Sequence, residues 1–294
     1  VIGKEAGGAN TTGSYNTFVG IAGFANTTAD NNTAVGYNSL ASNTTGTANT
    51  AVGDSSLKFV TTGSYNTAVG QRSLEDNTTA SNNVAVGWGS LTDNTTGTQN
   101  TALGRSALAT NTEASNNTAV GYAASLSNTT GAQNTSVGHN TLYATTTGSN
   151  NTGLGQGALQ GNTTGSSNTA VGKAALGVAT TASSNTAVGL AALGAVTTGA
   201  LNTALGSLAG DAITTGSQNI AIGYNALSAN TTSNSNVAIG AAALSVATSA
   251  NNTAVGDVAL NLVSTGAQNT AIGAQAGDAI TTGSNNTAIG YEAL

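Results

Sequence analysis

One short period runs through the whole chain. Gly recurs at 3, 20, 36, 53, 70, 87, 104, 121, 138, 155, 172, 189, 206, 223, 240, 256, 273 and 290, in steps of 17 with single steps of 16 at 20 to 36 and 240 to 256. Each of these glycines closes a version of Asn32-Thr33-Ala34-Val35-Gly36, which returns letter for letter at 49–53, 66–70, 117–121, 168–172, 185–189 and 252–256. A fixed period of this length specifies one structural unit stacked on itself, not a globular domain built around a pocket. No segment breaks the period, so residues 1–294 read as a single continuous array.

Counting from the repeat Gly as zero, position −4 is Asn, −1 is Val, Leu or Ile, −3 is Thr with Val84, Ile220 and Val237 as replacements, and −2 is Ala apart from Phe18, Ser136 and Gly153. Alternation over −3 to −1 has the period of a strand. An unbroken helix would rotate a 17-residue pattern off any one face, and the Gly, Asn, Thr and Ser content disfavours helix interiors. The apolar −1 column, with Val or Ile replacing Thr at −3, predicts that this face points into the core and that the Ala column faces outward, where another surface can approach closely. A Leu column four residues after the Gly (Leu40, Leu57, Leu108, Leu176, Leu227) reads as a second core stripe on a short second strand. Thr pairs such as Thr44-Thr45 follow, and the Gly after them (Gly46, Gly97, Gly165) reads as a turn position needing positive φ. Asn32, Asn49, Asn66, Asn83 and Asn100, with Gly36, Gly53 and Gly70, form the expected structural ladder, because like amides at the ~4.8 Å strand spacing can hydrogen-bond in series. The predicted fold is all-β: a parallel β-solenoid, or β-roll, of about seventeen 17-residue coils, roughly 80 Å long.

Composition narrows function. Only 5% of residues are charged, and the five bases, Lys4, Lys58, Arg72, Arg105 and Lys173, cannot build a nucleic-acid surface. There is no Cys, so disulfides and thiolate metal sites are excluded. No apolar run reaches the length of a spanning helix, and no membrane insertion is expected of this segment. His139 is the single histidine, the eleven acids are scattered, and the glycines lack the Lys-Ser/Thr of a phosphate loop. No catalytic, metal or cofactor residues are assigned, and the chain is expected to be no enzyme. Asp211 and Asp278 recur before Ala-Ile-Thr-Thr-Gly and read as a variant turn. Chemical variety concentrates at +1, just after the Gly. Tyr37, Trp88, Tyr122, His139 and Tyr224 stand there as candidate surface contacts for a glycan or protein, against the plain reading of a solvent-facing turn that accepts any residue.

The motifs Asn219-Ile220-Ala221-Ile222-Gly223 and Asn236-Val237-Ala238-Ile239-Gly240 resemble the head repeat of trimeric autotransporter adhesins, the YadA-like head. The wider pattern of Asn-Thr-Thr-Gly followed by Asn-Thr-Ala-Val-Gly resembles bacterial and phage tail-fibre-like repeats. The resemblance covers the entire chain and implies a left-handed coil, a homotrimer and display on a cell or virion surface. The 17-residue coil is longer than the commonest form of that head repeat. Neither end reads as a cap, so the array is expected to belong to a longer fibre or to stack end to end. The expectation is a stiff extracellular structural segment that associates with itself. The alternatives are an adhesin head gripping a host-surface or glycan receptor through +1, and an ice-binding solenoid. Ice binding is disfavoured by the expectation that Thr at −3 faces inward.

Overall fold

The computed structural model describes residues 1–294 and contains no helix. Two compact units, Val1–Asn150 and Asn151–Leu294, are each a parallel β-solenoid. The first carries β1 (Thr17–Val19), β2 (Thr33–Val35), β3 (Thr50–Val52), β4 (Thr67–Val69), β5 (Val84–Val86), β6 (Thr101–Leu103), β7 (Thr118–Val120) and β8 (Thr135–Val137). The second carries β9 (Thr152–Leu154), β10 (Thr169–Val171), β11 (Thr186–Val188), β12 (Thr203–Leu205), β13 (Ile220–Ile222), β14 (Val237–Ile239), β15 (Thr253–Val255), β16 (Thr270–Ile272) and β17 (Thr287–Ile289). Within each unit successive strands pair in register, like residue on like: Thr33 on Thr50, Ala34 on Ala51, Val35 on Val52.

The strands are three residues long because both flanks divert the backbone. The residue before each Asn is left-handed, as at Tyr65 (φ 59°) and Gln99 (φ 60°), and the repeat Gly lies at φ near 130°, as at Gly53 (131°) and Gly87 (131°). A Cβ on Gly104 would stand 2.4 Å from the carbonyl oxygen of Gly121 on the next coil, so this column admits only Gly on two separate grounds.

The facing of the strands reverses the sequence expectation. The Ala column is the interior: Ala34, Ala51, Ala68, Ala85 and Ala102 have no exposed surface, whereas Leu103 is 46% exposed and Val84 39%. Positions −3 and −1 face outward. The reason lies across the coil, where Leu40, Leu57, Leu74, Leu91 and Leu108 are fully buried and fill the space above the strand. Only a methyl fits beneath them. The Leu column is core as expected, but it lies on turns and not on a second strand. Its residues are left-handed, φ 53° at Leu40 and 50° at Leu108.

The glycines after the Thr pairs differ from expectation too. Gly97 does not have positive φ; a Cβ there would meet the Ala114 carbonyl oxygen at 2.3 Å and Asn94 Oδ1 at 2.5 Å. Close approach, not dihedral freedom, selects Gly at 97. Ala80 and Ala114 occupy the same column on coils whose neighbours carry Gly63, Gly97 and Gly131.

Departures from the repeat compensate one another. Phe18, buried in place of Ala, is flanked by Gly7 and Gly23, where a Cβ would lie 2.8 and 2.4 Å from its ring. At Gly210 and Gly277, which replace Leu, the volume returns three residues later as Ile213 and Ile280, whose Cδ1 atoms lie 3.0 and 3.3 Å from the would-be Cβ. These are the coils of Asp211 and Asp278, so the variant turn expected there is a change of core filling. Ser125 takes the Leu place and Ser136 the Ala place, and Ser125 Oγ donates to Ser136 Oγ at 2.9 Å; Leu126 lies beside the core, not in it.

Candidate functional site: ladders within and two faces without

The Asn column at −4 is buried and forms the expected ladder, with a backbone bond added to the amide–amide one. The backbone N–H of each Asn donates to Oδ1 of the Asn one coil earlier: Asn49 to Asn32 at 2.9 Å, Asn66 to Asn49 at 2.9 Å, Asn83 to Asn66 at 3.1 Å and Asn100 to Asn83 at 2.9 Å. Nδ2 reaches across its own coil, from Asn49 to the Gly63 carbonyl at 2.8 Å and from Asn83 to the Gly97 carbonyl at 2.9 Å, and on several coils it also donates to the preceding Oδ1, as from Asn66 to Asn49 and from Asn168 to Asn151, both at 3.1 Å. Gly53 N donates to the Val35 carbonyl and Gly70 N to that of Val52, both at 2.8 Å, continuing the stack where the strand has ended.

A second ladder, seven residues after the repeat Gly, was not anticipated. Here side-chain amides bond directly: Asn94 Nδ2 to Asn77 Oδ1 at 3.0 Å, Asn111 to Asn94 at 2.9 Å and Asn128 to Asn111 at 2.9 Å. Asn94 Nδ2 also reaches the Gly97 carbonyl at 3.0 Å, so that oxygen accepts from both ladders. The signal was present in the sequence. This column changes Asn for Val60, Ala179, Val196, Ile213 or Val263, and a place that alternates Asn with aliphatics is an interior one. Where Val60 follows Asn43, Asn43 Oδ1 is left buried with no partner. The ladders are structural, and apart from the end coils, where Asn10 is exposed, their amides are buried.

Two surfaces remain. The first is the outer face of the strands: Thr at −3 in every strand except β5, β13 and β14, and an aliphatic at −1 in all, with Leu103, Leu154, Leu205 and Ile272 more than a third exposed. It carries no charge. The second is the +1 column. Tyr37, Trp88, Tyr122, His139 and Tyr224 all project from it and are exposed. The structure brings Trp88, Tyr122 and His139 together with a residue not singled out in the sequence, Arg105. Its guanidinium carbon lies 5.0 Å from the Trp88 ring centroid and 5.9 Å from that of Tyr122, and the rings of Tyr122 and His139 stack 5.1 Å apart at 13°. Tyr37 stands three coils before Trp88, and Tyr224 belongs to the second unit.

The ion pairs are few and local. Glu75 lies between Lys58 (3.9 Å) and Arg72 (2.5 Å) on the turns. Burial holds the carboxyls of Asp76 and Asp93 above the usual range, and burial raises Asp211 as well, against hydrogen bonds from its own and the Ala212 backbone. Asp211 ends a shallow groove floored by Gly157, Ala174, Gly177, Ala191 and Gly194. No three His, Cys, Asp or Glu side chains gather as a metal site would require. Compared with models of known families and with curated protein sequences, the chain matches none.

Proposed function

We propose that this chain is a segment of a non-enzymatic, extracellular structural fibre, in which left-handed coils pack as a homotrimer through the outer face of the strands. One observation carries the reading: an uncharged aliphatic column at −1 repeats on every strand of both units and stays partly or largely exposed. Single exposed apolar residues are ordinary, but a column of them along a sheet marks a contact surface. The resemblance to YadA-like heads supports the three-fold arrangement, the handedness and the surface location. Two interior ladders and in-register stacking make each coil stiff without a large core. The segment acts as a spacer, with self-association as its partner chemistry and neither nucleic acid nor membrane as its target. Light scattering tests this. The expected mass is three times the chain's 28.1 kDa, and Leu103→Glu with Val120→Glu should return the monomer with an unchanged β spectrum. A wild-type monomer at high concentration would overturn the trimer.

A second reading is favoured by the outward Thr. Thr at −3 and the aliphatic at −1 form a flat, regular array spaced about 4.8 Å between strands and about 6.7 Å along them, the kind of surface that can order water and bind ice. The argument that set ice binding aside, an inward-facing Thr, does not hold in the structure. The readings compete for one face, since a face covered by another chain cannot meet ice. Thermal hysteresis in a monomeric sample, lost in Thr118→Lys, would favour ice; its absence would favour the fibre.

A further inference from the structure

We infer that Asn31, Asn116, Asn150, Asn251 and Asn285 are acceptor sites for N-linked glycosylation of the folded chain, and that the fold withholds the Asn-x-Thr triplets of its interior from the same reaction. The inference concerns the single folded chain and so stands apart from the trimer.

The chain contains fourteen Asn-x-Thr or Asn-x-Ser triplets, none with Pro, and each satisfies the acceptor rule on sequence alone. The structure sorts them. Eight begin in the column of the second ladder. Asn94, Asn128 and Asn162 there are buried, and Nδ2, the atom that would take the sugar, donates to the Gly97, Gly131 and Gly165 carbonyls at 3.0, 2.9 and 3.0 Å. Asn134, at −4, is buried with Nδ2 on the Gly148 carbonyl at 2.8 Å. Among these nine only Asn10, on the first coil, is exposed. The remaining five begin at −5, and there the arrangement inverts. Asn31, Asn116, Asn150, Asn251 and Asn285 are exposed at φ 59–63°, a left-handed setting that Asn enters readily. The middle residue of each triplet is the −4 Asn, turned inward, and the third is the outward Thr at −3. The acceptor amide and the hydroxyl two residues on both reach solvent, with the residue between them out of the way. Large groups fit at −5, where Tyr15 is 86% and Leu201 57% exposed. Asn116 and Asn150 are two coils apart, about 9.6 Å, as are Asn251 and Asn285, so each can carry a sugar. In the transfer, Nδ2 attacks C1 of a nucleotide-activated hexose. The C1–O bond breaks as the C1–N bond forms, the nucleoside diphosphate leaves, and one Nδ2 proton passes to a base of the transferase. The array holds its own control. Asn82 is exposed at −5 with φ 62° and Asn83 buried behind it, but Val84 replaces the Thr and no triplet results.

The test incubates the folded chain with UDP-glucose and a soluble N-glycosyltransferase of Asn-x-Ser/Thr specificity, and maps hexose by peptide mass. A synthetic peptide of residues 113–120 certifies the enzyme. The wild type and the Leu103→Glu, Val120→Glu chain are treated side by side, so that a strand face covered by another copy is told apart from a closed acceptor. Expected is hexose on the five −5 sites, at least about tenfold faster than on Asn94, Asn128 or Asn162, whose coils must open first, and none on Asn82. Val84→Thr should create a new site at Asn82, and Thr118→Ala should abolish Asn116 alone, each with an unchanged melting temperature. No hexose on the five in either folded form, transfer to Asn94, Asn128 and Asn162 at the same rate, or no gain in Val84→Thr would each overturn the inference. The fibre reading is judged separately, by mass.

Discussion

At the scale of single residues, the core column is Leu for a backbone reason. Its members sit at φ near +50°, a region that β-branched residues enter only with strain. With Gly23 and not Phe24 taking the place on the coil shortened to 16 residues, the column holds Leu, Gly or Ser and never Val or Ile, while the −1 column, on extended backbone, accepts Val, Leu and Ile freely. A prediction follows that inverts the usual rule for volume-conserving swaps. Leu108→Met should cost less than about 1.5 kcal/mol. Leu108→Ile, of equal volume, should cost about 1–3 kcal/mol more through its dihedral. Urea unfolding of the two variants measures the difference, and equal costs would show that packing alone selects Leu.

At the scale of the coil, stability comes from the hydrogen-bonded ladders and from a core one Ala and one Leu deep. Asn66 illustrates the first: its Oδ1 accepts from Asn83 N, and its Nδ2 donates to the Ala80 carbonyl at 2.9 Å. Asn66→Ala strands the buried N–H of Asn83, while the Ala80 carbonyl keeps the Asn77 Nδ2 donor at 3.0 Å, and an unfolding cost of about 1–3 kcal/mol is expected for the one stranded group. Phe18 illustrates the second. Phe18→Ala should cost about 3–5 kcal/mol. Adding Gly23→Leu should recover part of it, since Gly23 has the φ of 58° that Leu adopts elsewhere in the column. If the second change destabilises further, the exchange of volume between the two columns is not what holds that coil. The paired departures were visible in the sequence as isolated anomalies. What could not be read was which anomalies meet, because residues 11 apart, such as Ser125 and Ser136, touch only when the coil closes.

At the scale of the molecule, charge is so sparse that a few half-buried carboxyls shape the response to pH. Asp76, Asp93 and Asp211 are all shifted upward, chiefly by burial. Each folded-state carboxyl therefore holds its proton to higher pH than the unfolded chain does. The stability they contribute is fully present below the ordinary carboxylate value and is lost as pH rises through the raised one. Asp211→Asn should raise the melting temperature at pH 7, with the gain shrinking toward pH 3, where the native carboxyl is protonated in both states. A gain that persists unchanged at pH 3 would assign it to something other than the charge.

The sequence by itself determined the number of coils, their parallel like-on-like register, the all-β class, the stacking of the −4 Asn residues on one another and the exposure of +1. Each of these follows from a strict period combined with residue types that have one stable setting in a stacked coil. Which side of the strand faces inward was decided only by the tertiary structure. Thr-Ala-Val alternates equally well with either face inside, and hydrophobicity alone favours burying Val. The opposite wall settles it: left-handed Leu side chains reach across a narrow interior and leave room for a methyl and no more, so Ala goes in and the aliphatic column goes out. The cluster around Arg105 was likewise closed to sequence reasoning, because a cation lying between two rings is a fact about the side chains of neighbouring coils and not about any one repeat.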